Sequence, residues 1–240
     1  MNDFRPSPLN RSGPDAYAGA PGEVVRNRVL RNTYWLLALS MIPTVLGAAL
    51  ALSLGLNQAM AASPGTTAII FLVGAFALMF GIQRNKNSSL GVALLLVFTF
   101  FMGVMLSQLL GFVLGRSNGA QLIMTAFGGT AIVFGAMASL ASTVKRDLSS
   151  SLGKWLFAGL MVIIVASLAN IFLHLPALML TVSVLAIVIF SAFMLVDLQR
   201  IINGGETNYV TATLAVYLDV YNVFTNLLML LSAFTGNNRN

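Results

Sequence analysis

Seven apolar runs of 17 to 25 residues constrain this chain more than any other feature. They fall at 33–55, 66–82, 90–114, 120–142, 155–174, 177–197 and 210–234. As a helix, a run of that length crosses the roughly 30 Å of a bilayer's hydrocarbon core. A membrane β-barrel would instead alternate apolar and polar residues in segments of about ten, and no such alternation is visible. Charged residues make up 8% of the chain, against about 25% in a soluble domain. The expectation is an all-α membrane protein with seven transmembrane helices. The loops between runs are brief, so consecutive helices should be antiparallel neighbours.

The composition removes several chemistries. There is no cysteine, which excludes disulfides, thiol catalysis and thiolate-bound zinc or iron–sulfur centres. His174 is the only histidine, so no histidine cluster exists. It sits in FLHLP at the end of the fifth run, where an imidazole can reach headgroups and water. The net charge of +6 reads as topology charges facing anionic lipid rather than as a nucleic-acid surface, because most basic residues flank apolar runs. No Walker or GxGxxG loop, HExxH or Ser/His pattern is present, and the chain is read as a non-enzyme without a cofactor.

Residues 1–25 hold Pro6, Pro8, Pro14 and Pro21 and little to bury, so they read as a disordered tail. Residues 26–236 form the transmembrane domain and 237–240 a short C-terminal tail. Arg26, Arg28 and Arg31 precede the first run, which argues against a signal peptide. AMAAS at 59–63 resembles a cleavage site but lies far beyond those arginines. Counting basic residues near span ends puts Arg26, Arg28, Arg31, Arg84, Lys86, Lys145, Arg146, Lys154 and Arg200 on one side, and only Arg116 and Arg239 on the other. Nine against two predicts a cytoplasmic N-terminus and a periplasmic C-terminus. A re-entrant seventh run is the alternative.

The fourth run contains AFGGTAIVFGAMASLAS, and Gly111 and Gly115 close the third; both are packing signals before they are sites. An ionisable side chain inside hydrocarbon is different, since it costs about 2.5–3.5 kcal/mol at a helix centre on insertion scales. Asp219 is the one charged residue between 207 and 238. Asn222 and Asn226 share its helical face, with Tyr217 and Tyr221 beside it. This polar stripe is either a helix–helix hydrogen-bond clasp or a site that handles protons or cations. Asp197 closes the sixth run, where it can pair with Arg200 at i,i+3 or approach Asp219. Two carboxyls sharing a site cannot both ionise cheaply, so such a pair retains a proton near neutral pH. Deprotonated, it offers hard oxygen ligands suited to Ca²⁺. An intramembrane aspartyl protease would carry GxGD, whereas Asp219 follows Val216, Tyr217 and Leu218.

VLRNTYWLL (29–37), AFGGTA (126–131), ANIFLHLPAL (169–178), VDLQRII (196–202), GGETNY (204–209) and YLDVYNVF (217–224) together resemble the Bax inhibitor-1/YccA family of seven-span membrane proteins. GGETNY and NIFLHLPAL resemble its bacterial YccA branch. The resemblance covers about residues 26–236 and implies a six-helix bundle around a central seventh helix in the bacterial inner membrane. For calcium-leak members it implies a paired-aspartate pH sensor at the positions of Asp197 and Asp219, opening to Ca²⁺ as the pair deprotonates. It also implies a gating arginine that matches Arg84 approximately, in the thinned run QRNK (83–86). For the YccA branch it implies a partner, the membrane AAA protease FtsH, engaged partly through the N-terminal tail.

Overall fold

The computed structural model describes residues 21–144 and 146–236. Among these it contains eight helices and no strand: α1 (Pro21–Ser53), α2 (Leu56–Ala62), α3 (Pro64–Asn85), α4 (Ser89–Leu114), α5 (Gly119–Thr143), α6 (Leu148–Leu173), α7 (Pro176–Ile202) and α8 (Tyr209–Gly236). All but α2 are long and apolar enough to cross a membrane. The seven expected spans therefore each become one helix.

Their ends follow local chemistry. Pro64 and Pro176 open α3 and α7, where a missing N–H costs nothing. Asp147 caps α6 by accepting from the Ser149 N–H at 2.9 Å. Asn208 caps α8 by accepting from the N–H groups of Val210 and Thr211 at 2.9 and 3.2 Å. Pro43 lies within α1 without ending it, a substitution of the backbone pattern that packed spans accommodate.

Three sequence boundaries are corrected. Helix α1 begins at Pro21, so residues 21–25 are helical rather than tail; residues 1–20 and 237–240 lie outside the described residues. Helix α2 was not expected: Leu56–Ala62 forms a short turn of helix with no buried residue. Helix α7 runs on to Ile202, which moves Asp197 from the edge of its span to more than a turn inside it.

The outward surface is apolar. Trp35, Trp155 and Phe172 project outward, Phe172 with 83% of its surface exposed, a pattern that suits lipid contact. Inside, α1 and α4 cross at van der Waals distance because glycines face each other's backbone. A Cβ on Gly103 would stand 2.0 Å from the Thr44 carbonyl oxygen, and one on Gly47 would stand 2.2 Å from that of Phe100. Helix α8 packs against α1, α3, α4, α5 and α7, whereas α6 packs against α7 alone. A ring of six around one is thus not what the contacts describe; α6 flanks α7 on the outside.

Candidate functional site

Helix α8 carries two opposed stripes. At 100° per residue, Ala212, Ala215, Asp219, Asn222 and Asn226 fall on one face and Thr213, Tyr217, Tyr221, Leu228 and Ser232 on the other.

The second stripe fastens α8 to α1 and α4. The Thr213 hydroxyl lies 3.4 Å from the Thr33 carbonyl. Tyr217, 1% exposed, shares a hydrogen bond of 2.9 Å with the Thr44 hydroxyl and also donates toward the Thr99 carbonyl at 3.5 Å. Its ring stands edge-on to Phe98. Tyr221 donates to the Met102 carbonyl at 3.3 Å. The two tyrosines expected beside the acid are therefore turned away from it and hold the central helix in place.

The first stripe holds the acid. Asp219 is buried, and its Oδ2 has no hydrogen-bond partner among the described residues. An ionised carboxylate so placed loses its solvation with nothing to offset the loss. The Nδ2 groups of Asn222 and Asn226 donate to the carbonyls of Leu218 and Asn222, both at 2.8 Å. Among the described residues neither amide bonds to a neighbouring helix.

Asp197 faces this stripe from α7. The Arg200 Nη1 stands 3.7 Å from the Asp197 Oδ1, with the two side chains 47% and 19% exposed. Such a half-solvated pair is worth roughly 0–1 kcal/mol, weak enough to break and reform. Of the two neighbours that the sequence offered Asp197, Arg200 is thus in place. A cavity of about 20 Å³ is lined by Asp197, Arg200, Ile201, Glu206, Ala212 and Ala215, room for about one water. Ala215 is one turn above Asp219, so the cavity stops just short of the buried acid. The small side chains of Ala212 and Ala215 leave that space.

Arg84 is exposed in the last turn of α3, and among the described residues no ion pair joins it to either aspartate. Among those residues, too, no group of three or more His, Asp or Glu is arranged to hold a metal ion. Ca²⁺ takes six to eight oxygens, more than two carboxyl groups supply.

Two residues escaped the sequence reading. Gln199 is 1% exposed; its Nε2 donates to the carbonyls of Val144 and Arg146 at 2.9 and 2.8 Å, and its Oε1 accepts from the Leu148 N–H at 2.8 Å. It thereby ties the α5–α6 turn to the end of α7, two residues from Asp197. Asn208 donates to the Lys86 carbonyl and the Asn87 side chain at 3.0 and 2.8 Å, which ties the α3–α4 turn to the start of α8. Their presence inside VDLQRII and GGETNY was visible, but their partners are remote in sequence and most of them are backbone groups.

Seven apolar helices with a buried carboxyl at their centre define a polytopic helical membrane protein built around an intramembrane acid. A family model described as inhibitor of apoptosis-promoting Bax1 matches residues 26–236, and the chain belongs to this Bax inhibitor-1 family. It is 40% identical to the Escherichia coli K12 protein named modulator of FtsH protease YccA, over 85% of this chain and 90% of that one. An uncharacterized protein of Neisseria meningitidis serogroup A is 37% identical over 92% and 98% of the two chains. An uncharacterized membrane protein of Vibrio cholerae is 36% identical over 88% and 92%.

Proposed function

We propose that Asp197 and Asp219 form a proton-sensitive pair in a bacterial inner-membrane protein and control a slow leak of Ca²⁺ or a similar cation. The observation that carries this reading is the buried Asp219 carboxyl, unpartnered at Oδ2 among the described residues, on the α8 face whose Ala212 and Ala215 line a cavity together with Asp197. With the pair singly protonated, the stripe holds one negative charge that Arg200 can balance. Loss of the second proton leaves two carboxylates that repel each other and attract a cation. Calcium entry into proteoliposomes is then expected to vary with pH, and Asp219→Asn to abolish that variation. An unaltered pH profile in both Asp197→Asn and Asp219→Asn would reduce the pair to a structural role. Arg84 enters this reading as a mobile counter-charge at the same end, to be tested by the same assay on Arg84→Gln.

A second reading has the comparison behind it: the protein modulates an FtsH-type membrane protease. The 40% identity to a protein so named, over most of both chains, is its support. In this reading the N-terminus is cytoplasmic and the proline-containing tail is what the protease engages. Deleting residues 2–20, which leaves α1 whole, is expected to weaken co-purification with FtsH or slow turnover of the protein without changing ion flux. An unchanged interaction and unchanged turnover would remove the tail from the mechanism.

A further inference from the structure

We propose that the Asp219 stripe faces a hydrated seam between α5 and α7, in which the Asn222 and Asn226 amide oxygens are successive ligands for a hard metal cation. Neighbouring residues of α8 fix the direction of the stripe. On one flank the Met229 sulfur accepts from the Ser183 hydroxyl of α7 at 3.4 Å. On the other, a Cβ on Gly129 of α5 would stand 3.4 Å from the Leu227 side chain. At 100° per residue, Asp219 and Asn226 fall between these flanks, and α5 and α7 also pack against each other. The stripe thus looks into a three-helix seam, away from the tyrosines that meet α1 and α4.

The amides are the unusual part of that seam. Asn222 and Asn226 lie near the middle of α8, a helix of 28 residues, where hydrocarbon offers no hydrogen bond. Each Nδ2 donates to the carbonyl four residues back. A carbonyl that attracts the N–H repels the amide oxygen, so each Oδ1 is held off the backbone on the outer side of the helix. Among the described residues neither Oδ1 accepts a hydrogen bond, and both residues are half-buried. The Asp219 Oδ2 is likewise without a partner, on a residue only 5% exposed. Three side chains on one helical face therefore carry unpaired oxygens, spread over about 10 Å at 1.5 Å per residue.

An unpaired acceptor at membrane depth is costly, and several along one face call for a partner that they share. Water supplies hydrogen bonds, and a hard cation such as Ca²⁺ supplies charge to carboxylate and amide oxygens alike. A row of weak sites also lets an ion leave as readily as it enters. The cavity lined by Ala212 and Ala215 lies on the same face one turn before Asp219, which gives the seam its entrance. Passage of an ion along it rests on the reading of the aspartates given above; the hydration of the seam does not.

The chain has no cysteine, so single cysteines report cleanly in the full-length protein. Variants in lipid vesicles are treated on both membrane faces with an impermeant thiosulfonate, since a thiol reacts only where water supports the thiolate. Asn222→Cys and Asn226→Cys are expected to react roughly tenfold faster than two controls. These are Val188→Cys on the outer face of α7 and Leu228→Cys on the opposite face of α8, 61% and 0% exposed. The first reports exposure to lipid and the second general loosening. Millimolar Ca²⁺ is expected to slow both amide-position reactions roughly threefold, because each variant retains Asp219 and one amide. Reaction no faster than at the controls overturns the seam, and fast reaction that Ca²⁺ leaves unchanged overturns the ligand role. Fast, Ca²⁺-sensitive reaction in a protein that passes no cation supports the site and counts against the leak.

Discussion

Asp219 and Tyr217 stand two residues apart on one helix and have opposite fates. The tyrosine hydroxyl is spent on Thr44 of α1 and the Thr99 carbonyl of α4, so it stabilises; the Asp219 Oδ2 is left unpaired, so it is available. Tyr217→Phe is expected to lower stability by about 0.5–1.5 kcal/mol, the net worth of a hydrogen bond, read as a lower thermal midpoint in detergent, while leaving the pH response of flux intact. His174 ends α6 in the left-handed conformation, with φ of 50°, exposed and with its Nδ1 3.0 Å from the Phe172 carbonyl. It lies at the end of the bundle opposite Asp197. His174→Gln should change neither the melting midpoint nor the flux profile; a displaced pH midpoint in that variant would move the sensor away from the aspartates.

At the scale of elements, the molecule divides into helices held by close backbone contact and helices held at their ends. The α1–α4 crossing belongs to the first kind. Gly103→Ala forces a methyl into the Thr44 carbonyl, and overpacking of this sort costs about 1–3 kcal/mol; differential scanning of purified protein should register the loss, and Ala at the open Gly128 position should not. Helices α5 and α6 pack against α7 rather than against each other, and their turn is fastened to the end of α7 by Gln199. Gln199→Leu strips three backbone groups of their partner, each worth about 1–3 kcal/mol if left buried and unsatisfied. Faster proteolysis or hydrogen exchange confined to residues 143–149 is the expected sign.

For the whole molecule, an odd number of membrane-length helices and the clustering of basic residues toward the N-terminal side predict termini on opposite sides of the membrane. A reporter fused after Asn240 is expected to be active only if it works outside the cytoplasm. A signal from a reporter active only in the cytoplasm would overturn the seven-span orientation. The same antiparallel order brings the α3–α4, α5–α6 and α7–α8 turns to one end, where Asn208 and Gln199 bind them together. Asp197, Arg200 and Glu206 gather at that end, and Arg116 and His174 lie at the other.

The number of membrane-length helices, their approximate ends and the exceptional position of Asp219 were legible in the amino-acid order. Lipid imposes length and apolarity on every span, so a single charge inside one stands out against its neighbours. The pairing of Asp197 with Arg200 was legible too, because an i,i+3 contact is local. The longer course of α7 was not, because Leu198, Gln199 and Ile201 are held helical by burial against neighbours distant in the chain. Nor was the direction of Tyr217 and Tyr221, or the grip of Gln199 and Asn208. In a span that is apolar on all sides, hydrophobic periodicity carries no information about which face meets protein and which meets lipid. That choice is made by glycine contacts and by hydrogen bonds to carbonyls on other helices, and a carbonyl leaves no mark in a sequence.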